Sequence, residues 1–187
     1  YALSLTSLPE VQGIYVTLND VNPALLARRA NRVKLKLGRK DATTSDTDIL
    51  RRRWFPIDLD PVRPSGVSST NQEHQEALDQ MERIVSWLTD LGFPEPVRAD
   101  SGNGAHILYR IDFANDEQSS DLVKRCLATL DALFSNSKVT VDTANFNPGR
   151  IWKLYGTISR KGDHTPDRPH RMARLLSTPD SIKTVSL

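Results

Sequence analysis

Apolar residues recur at helical spacing in two long segments of the chain. In residues 71–91 the apolar positions lie three or four residues apart, so they share one helix face, and Gly92 follows as a stop signal. The apolar positions of this segment are Leu78, Met81, Ile84, Val85 and Leu88. Residues 116–134 show the same spacing. Both segments predict amphipathic helices that bury one face against the rest of the protein.

Shorter apolar segments, rich in β-branched residues and separated by turn-forming residues, predict strands. They cover residues 11–18, 54–59, 97–100, 105–111, 139–142, 150–155 and 171–176. The turn Ser101-Gly-Asn-Gly104 lies between two of them and predicts a β-hairpin, because glycine tolerates positive φ. A short helix is expected over 24–30, and loops over 41–48 and 161–171. Because strands and helices follow one another without a regular βαβ repeat, the pattern favours the α+β class.

The composition is that of a folded protein. Of 187 residues, 26% are charged and 38% hydrophobic, which is typical of folded domains, and the length fits one domain, or one core with a smaller lobe. No apolar run approaches the roughly 18 residues that span a bilayer, and no signal-peptide pattern is present, so we expect a cytoplasmic protein with no membrane partner. The single cysteine, Cys126, falls on the apolar face of the second helix. Because the chain begins at Tyr1 rather than methionine, we expect a domain from a longer protein.

Basic residues crowd the N-terminal third, although the net charge is only +2. Positive side chains concentrated in this way attract the phosphates of a nucleic-acid backbone even where the net charge is small. The predicted nucleic-acid-binding residues are Arg28, Arg29, Arg32, Lys34, Lys36, Arg51, Arg52 and Arg53. A solvated surface without a ligand is the alternative interpretation.

Acidic residues lie at the ends of two predicted strands. Asp58 and Asp60 are two positions apart on a strand, so both carboxylates point to one face and can share divalent cations. Asp142 ends another short apolar strand. Aspartate is also common as a turn former at strand ends, so each acid taken alone is weak evidence for a metal site.

The predicted hairpin turn carries a second set of polar groups. Gly102 and Gly104 permit close approach of the backbone to a ligand. Ser101 offers a hydroxyl, and His106 places an imidazole just after the turn. Such a turn suits a triphosphate. The two glycines do not form a dinucleotide-binding fingerprint, because a third glycine and a following helix are missing.

In their order along the chain, these motifs resemble the signatures of the archaeo-eukaryotic primase superfamily: an acidic Asp-x-Asp, a Ser/Gly-rich turn that ends in histidine, and a later hydrophobic residue followed by Asp. They stand here as Ile57-Asp58-Leu59-Asp60, Ser101-Gly-Asn-Gly-Ala-His106 and Val141-Asp142, and the likeness continues through Arg150-Ile-Trp-Lys-Leu-Tyr-Gly156. Over residues 11–176 the chain is most similar to the prim-pol domains of phage and plasmid replication proteins and to CRISPR-associated prim-pols. Some relatives carry a zinc-binding insertion, for which this chain has no cysteine cluster.

The resemblance implies a primase-polymerase catalytic domain over 1–187. Its expected fold is α+β, with an RRM-like antiparallel sheet packed with helices in a catalytic core over 54–176 and an N-terminal α/β lobe over 1–53. The implied activity is template-directed transfer of nucleotides to a 3′-hydroxyl, as a DNA primase, a DNA polymerase or both. The implied partners are a DNA template and primer, dNTPs or NTPs, and a fused or associated helicase, reverse transcriptase or Cas1 module.

The resemblance also assigns roles to residues of this chain. Asp58, Asp60 and Asp142 match the catalytic ligands of two Mg²⁺ or Mn²⁺ ions. The implied nucleotide-binding residues are Ser101, Gly102, Gly104, His106, Arg150 and Lys153. Because Arg150 and Lys153 are three positions apart, a regular strand would place them on opposite faces, and both reach a nucleotide only if the segment bends. Lys153 is therefore the firmer expectation.

Two other functions remain open on the sequence. A catalytically silent RRM-like module would bind nucleic acid without chemistry, because a fold does not determine function. A plasmid-type initiator nuclease needs paired histidines and a nucleophilic tyrosine, and no two histidines fall close together on one strand. We expect His74 on the solvent side of its helix. A zinc site lacks familiar ligand spacing in the available side chains, which are His74, His164, His170 and Cys126.

Overall fold

The computed structural model describes residues 2–30, 32 and 37–185, which form three α-helices and ten β-strands. The helices are α1 (Ala2–Thr6), α2 (Asn71–Asp90) and α3 (Glu117–Phe134). The strands are β1 (Tyr15–Thr17), β2 (Asp20–Val21), β3 (Ile49–Pro61), β4 (Val97–Asp100), β5 (Ala105–Ala114), β6 (Val139–Val141), β7 (Ile151–Lys153), β8 (Ile158–Ser159), β9 (Arg171–Met172) and β10 (Arg174–Ser177). Short 3-10 helices span Pro23–Arg28, Asp46–Asp48 and Thr143–Phe146.

The principal sheet is antiparallel and is built around the long strand β3. Its strands lie in the order β10-β4-β5-β3, and both β2 and β6 pair with the other edge of β3, β2 near its start and β6 near its end. From β3 to β6 the chain runs strand, helix, strand, strand, helix, strand, with the four strands side by side as β4-β5-β3-β6. The protein is therefore a mixed α+β fold, as the sequence pattern predicts.

Helices α2 and α3 cover one face of this sheet. Alternate residues of β3, namely Phe55, Ile57 and Leu59, point to that face and pack against apolar side chains of both helices. Helix α2 begins at a capping box, in which Thr70 and Glu73 satisfy each other's backbone N–H groups, and it ends before Gly92 at φ +89°. Both predicted helices are confirmed within one residue of their expected bounds, and the predicted hairpin is confirmed with a second strand that continues three residues further, to Ala114.

The opposite face of the sheet carries a second, thinner layer. Strands β1 and β7 form a separate two-stranded ribbon, and Trp152 of β7 is buried against Val97 and Leu108 of the principal sheet. Trp54 and Tyr155 pack around this small cluster. The second layer therefore covers part of the sheet face to which Asp58 and Asp60 belong.

Several predicted bounds change in the structure. Strand β3 begins at Ile49, before the expected start at Trp54, so the predicted boundary between the N-terminal lobe and the core falls inside a strand. The reason is that β3 pairs with β2 and with the end of β5 over its first residues, contacts that no local pattern reveals. The predicted strand over 11–18 is reduced to β1, and the predicted helix over 24–30 is a 3-10 helix. None of the helices formed by the described residues is both long and apolar enough to span a membrane.

Candidate active site

A cavity of about 340 Å³ opens between the sheet and its second layer. Its volume falls in the range of small-molecule sites, roughly 300–1,000 Å³. Its walls hold residues from each of the motifs singled out in the sequence, namely Asp58, Asp60, Ser101, His106, Asp142, Arg150 and Lys153. Gly102 and Gly104 are the predicted nucleotide-binding residues that do not line it.

The register of the sheet brings the three carboxylates together. Asp58 and Asp60 alternate with buried residues of β3, so their side chains point away from the helices and towards the cavity. Leu59 pairs with Val141 of β6, and the next residue, Asp142, donates its backbone N–H to the carbonyl of Asp58 at 2.9 Å. Asp142, which directly follows the neighbouring strand β6, therefore lies beside Asp58.

Asp58 and Asp60 interact with positive or polar neighbours as well as with each other. An Asp58 carboxylate oxygen lies 3.4 Å from Nε2 of His106, its partner across the β3–β5 pair. Asp60 forms an ion pair with Arg63 at 3.2 Å. Burial and the negative charge of Asp58 raise the pKa of Asp60, although Arg63 and Lys161 oppose the rise. The two carboxylates thus repel each other, and a bound cation would relieve that repulsion.

Asp142 has local partners of its own. One carboxylate oxygen accepts the backbone N–H of Ala144 at 2.9 Å, which starts the 3-10 turn, and the other accepts from the amide of Asn145 at 3.1 Å. As the side chains stand, no three His, Cys, Asp or Glu groups in the described part of the chain are close enough to hold a metal ion. The donor chemistry nevertheless fits Mg²⁺ or Mn²⁺, because carboxylate oxygens are their usual ligands and all three carboxylates line one cavity.

The glycine turn is shaped by its packing within the protein. Gly102 has φ +89°, and a Cβ at this position would lie 2.9 Å from the carbonyl oxygen of Arg171. A Cβ at Gly104 would lie only 2.1 Å from the carbonyl oxygen of Leu59. The N–H of Gly104 donates to the hydroxyl oxygen of Ser101 at 2.8 Å. Close backbone packing therefore accounts for both glycines, and their contact with a nucleotide stays a prediction.

Asp100 and His74 form a buried pair beneath this turn. Asp100 is 2% exposed, accepts the backbone N–H of Gly102 at 2.7 Å and lies 2.8 Å from Nε2 of His74. The expectation that His74 faces solvent is wrong, because His74 shares a helix face with Ala77 and Met81 and that face packs on the sheet. Burial alone would raise the pKa of Asp100, but the hydrogen bonds from His74 and Gly102 outweigh it and lower the pKa below its usual value of 3.8.

The Asp100 pair should make the fold sensitive to acid. Because the pKa of Asp100 is lower in the folded state, its contribution to stability is present at neutral pH and is lost as the pH falls below 3.8 through the lowered value. We expect Asp100→Asn to reduce the free energy of unfolding at neutral pH by about 1 kcal/mol, the difference between a charged and a neutral hydrogen-bond acceptor. Urea unfolding of both proteins as a function of pH measures this. If the difference in the free energy of unfolding between the two proteins stays the same at acidic pH, the ionised Asp100 does not stabilise the fold as described.

His106 is enclosed by two aromatic side chains that the sequence did not single out. It is 4% exposed, and its ring centroid lies 4.1 Å from that of Trp152. Its Nδ1 lies 3.0 Å from the hydroxyl of Tyr155, which also accepts the indole N–H of Trp152 at 2.8 Å. Both aromatic residues belong to the segment 150–156 in which the resemblance continues, but no spacing rule indicates their contact with His106.

Lys153 and Arg150 both reach the cavity. Arg150 precedes the first residue of β7, so the alternation of a regular strand does not apply to it. Lys153 is 5% exposed, its Nζ donates to the carbonyl of Ile158 at 2.8 Å, and it lies over the ring of Tyr15 at 5.5 Å. Burial, together with the positive charge of Arg160, lowers the pKa of Lys153 to about 8. Among the described carboxylates, none forms an ion pair with Lys153.

The cavity also holds polar residues outside the predicted motifs. Lys161 lies at the start of the loop predicted over 161–171. No motif in that loop marks this lysine as a site residue. Asn145 is positioned by its contact with Asp142. The other members of this group are Tyr15 and Ser159, and Asn103 of the glycine turn also lines the cavity. Tyr15 and Ser159 lie on the short strands β1 and β8, and no local pattern indicates that these strands reach the site.

The three arginines of β3 form ion pairs or hydrogen bonds with other residues of the protein. Arg51 and Arg53 both pair with Asp112 of β5, and Arg53 also pairs with Asp20 of β2 at 2.6 Å. Arg52 is 2% exposed and donates to the carbonyl of Phe146 and to the hydroxyl of Ser120. Arg52 is therefore removed from the predicted nucleic-acid surface, because a register shift between Arg52 and Trp54 interrupts the alternation of β3 and leaves Arg52 on the helical side, against Ser120 of α3.

The described arginines of the basic stretch that precedes β3 are exposed or half-buried. Arg28 and Arg29 form ion pairs with Asp48 at 3.5 Å and Asp41 at 3.1 Å, and Arg32 is exposed. Two further predicted residues of this stretch lie outside the described residues, namely Lys34 and Lys36. Of the eight predicted residues, Arg28, Arg29 and Arg32 best retain the expected surface position.

The chain was compared with protein-family models, with curated proteins and with solved structures, and none of the three comparisons found a match. Function is therefore inferred from the residues of the cavity and from the sequence motifs.

Proposed function

We propose that the protein is a template-directed nucleotidyltransferase, a DNA primase or DNA polymerase that adds nucleotides to a 3′-hydroxyl with the help of Mg²⁺ or Mn²⁺. The observation that carries this proposal is the convergence of motifs. The acidic pair, the Ser/Gly turn with His106 and the later Asp142 are far apart in the sequence, yet all line one cavity. Packing alone gives no reason for polar residues of separate motifs to meet in this way.

The connectivity of the sheet supports the same proposal. The strand and helix order from β3 to β6 is that of an RRM-like sheet, which is the core that the sequence resemblance implies. In that arrangement the acidic pair lies on the first strand and Asp142 directly follows the last. The two strands are neighbours, so a polymerase of this type would hold its metal ligands side by side.

The residues of the cavity divide into two chemical groups. Asp58, Asp60 and Asp142 would hold the divalent ions, which lower the pKa of an attacking hydroxyl and neutralise phosphate charge. Lys153 and Arg150 would bind the remaining negative charge of a triphosphate. The hydroxyl of Ser101 and the imidazole of His106 would supply hydrogen bonds to the same ligand.

A catalytically silent nucleic-acid-binding module is the second candidate. Two observations favour it. Asp60 is paired with Arg63, and no three His, Cys, Asp or Glu side chains among the described residues are close enough to hold a metal ion. Against it, RRM-type binding uses an open sheet face on which bases stack. Here that face carries the β1–β7 ribbon, and Trp152 is buried against the sheet rather than exposed to a base.

A primer-extension assay separates the two candidates. The protein is incubated with a primed DNA template, labelled nucleotides and Mn²⁺, with EDTA in place of the metal as the control. Metal-dependent extension supports the nucleotidyltransferase. Binding of the template without extension in either Mg²⁺ or Mn²⁺, using dNTPs and NTPs in turn, would leave the silent module as the better account.

The exposed arginines before β3 provide a separate prediction about DNA. Each DNA phosphate neutralised by a protein cation contributes about 0.9 to the slope of log affinity against log salt concentration. Reversing Arg28, Arg29 and Arg32 to Glu should therefore lower that slope by up to about 3 and weaken binding at low salt. Fluorescence anisotropy with a labelled primed template at several salt concentrations measures both quantities.

The control carries the same change of charge elsewhere. Arg83, Lys124 and Arg125 are exposed on α2 and α3, which cover the face of the sheet opposite the cavity. Their reversal to Glu should leave the salt slope nearly unchanged. If both triple variants lower the slope equally, the stretch before β3 acts only through net charge and is not a binding surface.

A further inference from the structure

Tyr155 connects a buried indole to His106 and has no role in the proposed function so far. Trp152 is 3% exposed, and its indole N–H donates to the Tyr155 hydroxyl oxygen at 2.8 Å. The same hydroxyl lies 3.0 Å from Nδ1 of His106. On its other side, Nε2 of His106 faces a carboxylate oxygen of Asp58 at 3.4 Å. The four side chains form one continuous row that ends at the acidic pair.

The direction of the hydrogen bonds in this row follows from the groups that compose it. An indole N–H can only donate, so the Tyr155 oxygen accepts from Trp152 and keeps a single hydrogen to donate. Burial raises the pKa of Tyr155, so the hydroxyl stays protonated. The acceptor beside it is Nδ1 of His106. A neutral imidazole that accepts at Nδ1 carries its hydrogen on Nε2.

The surroundings of Nε2, on the other side of the imidazole, also favour a hydrogen on Nε2. With hydrogen on Nε2, an N–H lies on the side of the ring where a carboxylate oxygen of Asp58 is 3.4 Å from the nitrogen. With hydrogen on Nδ1, the Nε2 lone pair would lie on that side and would repel the carboxylate. That tautomer would also leave the Tyr155 hydroxyl hydrogen without its nearest acceptor, and an unsatisfied polar group in a partly buried place is costly.

We propose that Tyr155 is a positioning residue that holds the neutral imidazole of His106 with its hydrogen on Nε2, on the side of Asp58. An N–H in this position binds an oxygen of Asp58 or of an incoming phosphate, whereas a bare ring nitrogen repels both. The use of this N–H in nucleotide transfer rests on the proposed function. The direction of the hydrogen bonds does not, because it follows from the row of side chains alone.

The position of the hydrogen can be measured by NMR on protein labelled with ¹⁵N at histidine. Long-range ¹H–¹⁵N correlation spectra distinguish the two neutral tautomers from each other and from the doubly protonated ring. His106 is assigned by the loss of its signals in His106→Gln. We expect the Nε2–H form in the metal-free protein, and a signal from the Nδ1–H form would overturn the proposal.

Tyr155→Phe removes only the hydroxyl. We expect the ratio of the Nε2–H to the Nδ1–H form to fall roughly two- to tenfold, the range that one hydrogen bond supports. Tyr109→Phe is the matched control, because the Tyr109 hydroxyl is buried without a hydrogen-bond partner in the described structure. An unchanged ratio in Tyr155→Phe, or an equal change in Tyr109→Phe, would assign Tyr155 to the scaffold. If the tautomer is as expected but no nucleotide is transferred, the proposed function fails and the positioning role stands.

Discussion

Primer extension by the Asp58→Ala or Asp60→Ala protein is expected to fall at least about 1,000-fold, equivalent to a loss of about 4 kcal/mol of transition-state stabilisation. The reason is that each carboxylate would be a direct ligand of a divalent ion, and removal of a ligand leaves the ion weakly held and misplaced. Single-turnover extension of a labelled primer at saturating Mn²⁺ measures the chemical step without product release.

The folded structure should survive both changes. The side chains of Asp58 and Asp60 are 22% and 41% exposed, so neither replacement leaves a large void. Asp60→Ala also removes a carboxylate whose ionised form is opposed by burial and by the charge of Asp58, and Arg63 keeps the carbonyls of Pro61 and Val67 as acceptors. We therefore expect melting temperatures close to that of the unaltered protein when no metal is present.

Two further variants sharpen the test. Asp90→Ala removes an exposed carboxylate from the end of α2, on the helical side of the sheet, and should extend primers normally. Asp142→Asn keeps an oxygen for the N–H of Ala144, so it tests the carboxylate charge without loss of the turn. Near-normal extension by a well-folded Asp58→Ala or Asp60→Ala protein would falsify the metal assignment.

Lys153→Ala should raise the KM for the incoming nucleotide at least tenfold, about 1.4 kcal/mol, with primer affinity unchanged. A triphosphate keeps negative charge beyond what two divalent ions neutralise, and Lys153 is a buried cation in the wall of the cavity. Its Nζ has a single hydrogen-bond partner in the described structure, the carbonyl of Ile158, so its remaining hydrogens can serve a ligand. Steady-state kinetics with varied nucleotide concentration gives the KM.

The lowered pKa of Lys153 supplies a readout that a structural role would not affect. Only the ammonium form attracts phosphate, and its fraction in the free protein declines as the pH rises through about 8. The value of kcat/KM should therefore fall above that pH, because kcat/KM reports the pKa values of the free enzyme. Lys153→Ala should bind the nucleotide more weakly, and its kcat/KM should no longer fall above that pH.

The control is a lysine outside the cavity. Lys138 is exposed and pairs with Glu76 at 2.8 Å, and Lys138→Ala should leave both the KM and the pH profile unchanged. Lys153→Met retains most of the buried stem and separates the loss of charge from the loss of packing. An unaltered nucleotide KM in Lys153→Ala, together with a lower melting temperature, would assign this lysine to the scaffold.

The two predictions depend on different parts of the fold. The acids are placed by the register of β3 and β6, which belong to the principal sheet. Lys153 is placed by the ribbon of β1 and β7, in which it pairs with Tyr15. A nucleotide in the cavity would contact both layers at once. The approach of the second layer to the sheet is thus expected to govern nucleotide affinity more than metal binding.

The sequence by itself determined the elements whose signals are local. The two long helices follow from a period of 3.6 residues, and the end of the first follows from the stop signal Gly92. The hairpin follows from its glycine turn. The common face of Asp58 and Asp60 follows from the period of two in a strand. Each of these features depends on residues that are close together in the chain, which is why it could be predicted without the fold.

The tertiary structure alone decided the surroundings of those elements. Burial of Arg52 depends on Ser120 and Phe146, and the start of β3 depends on pairing with β2, so these partners are remote in sequence. The Asp100–His74 pair and the row from Trp152 to Asp58 likewise join separate elements. The sequence determines the charge and polarity of each side chain. Packing between distant segments determines whether solvent, a carboxylate or an aromatic ring lies beside it.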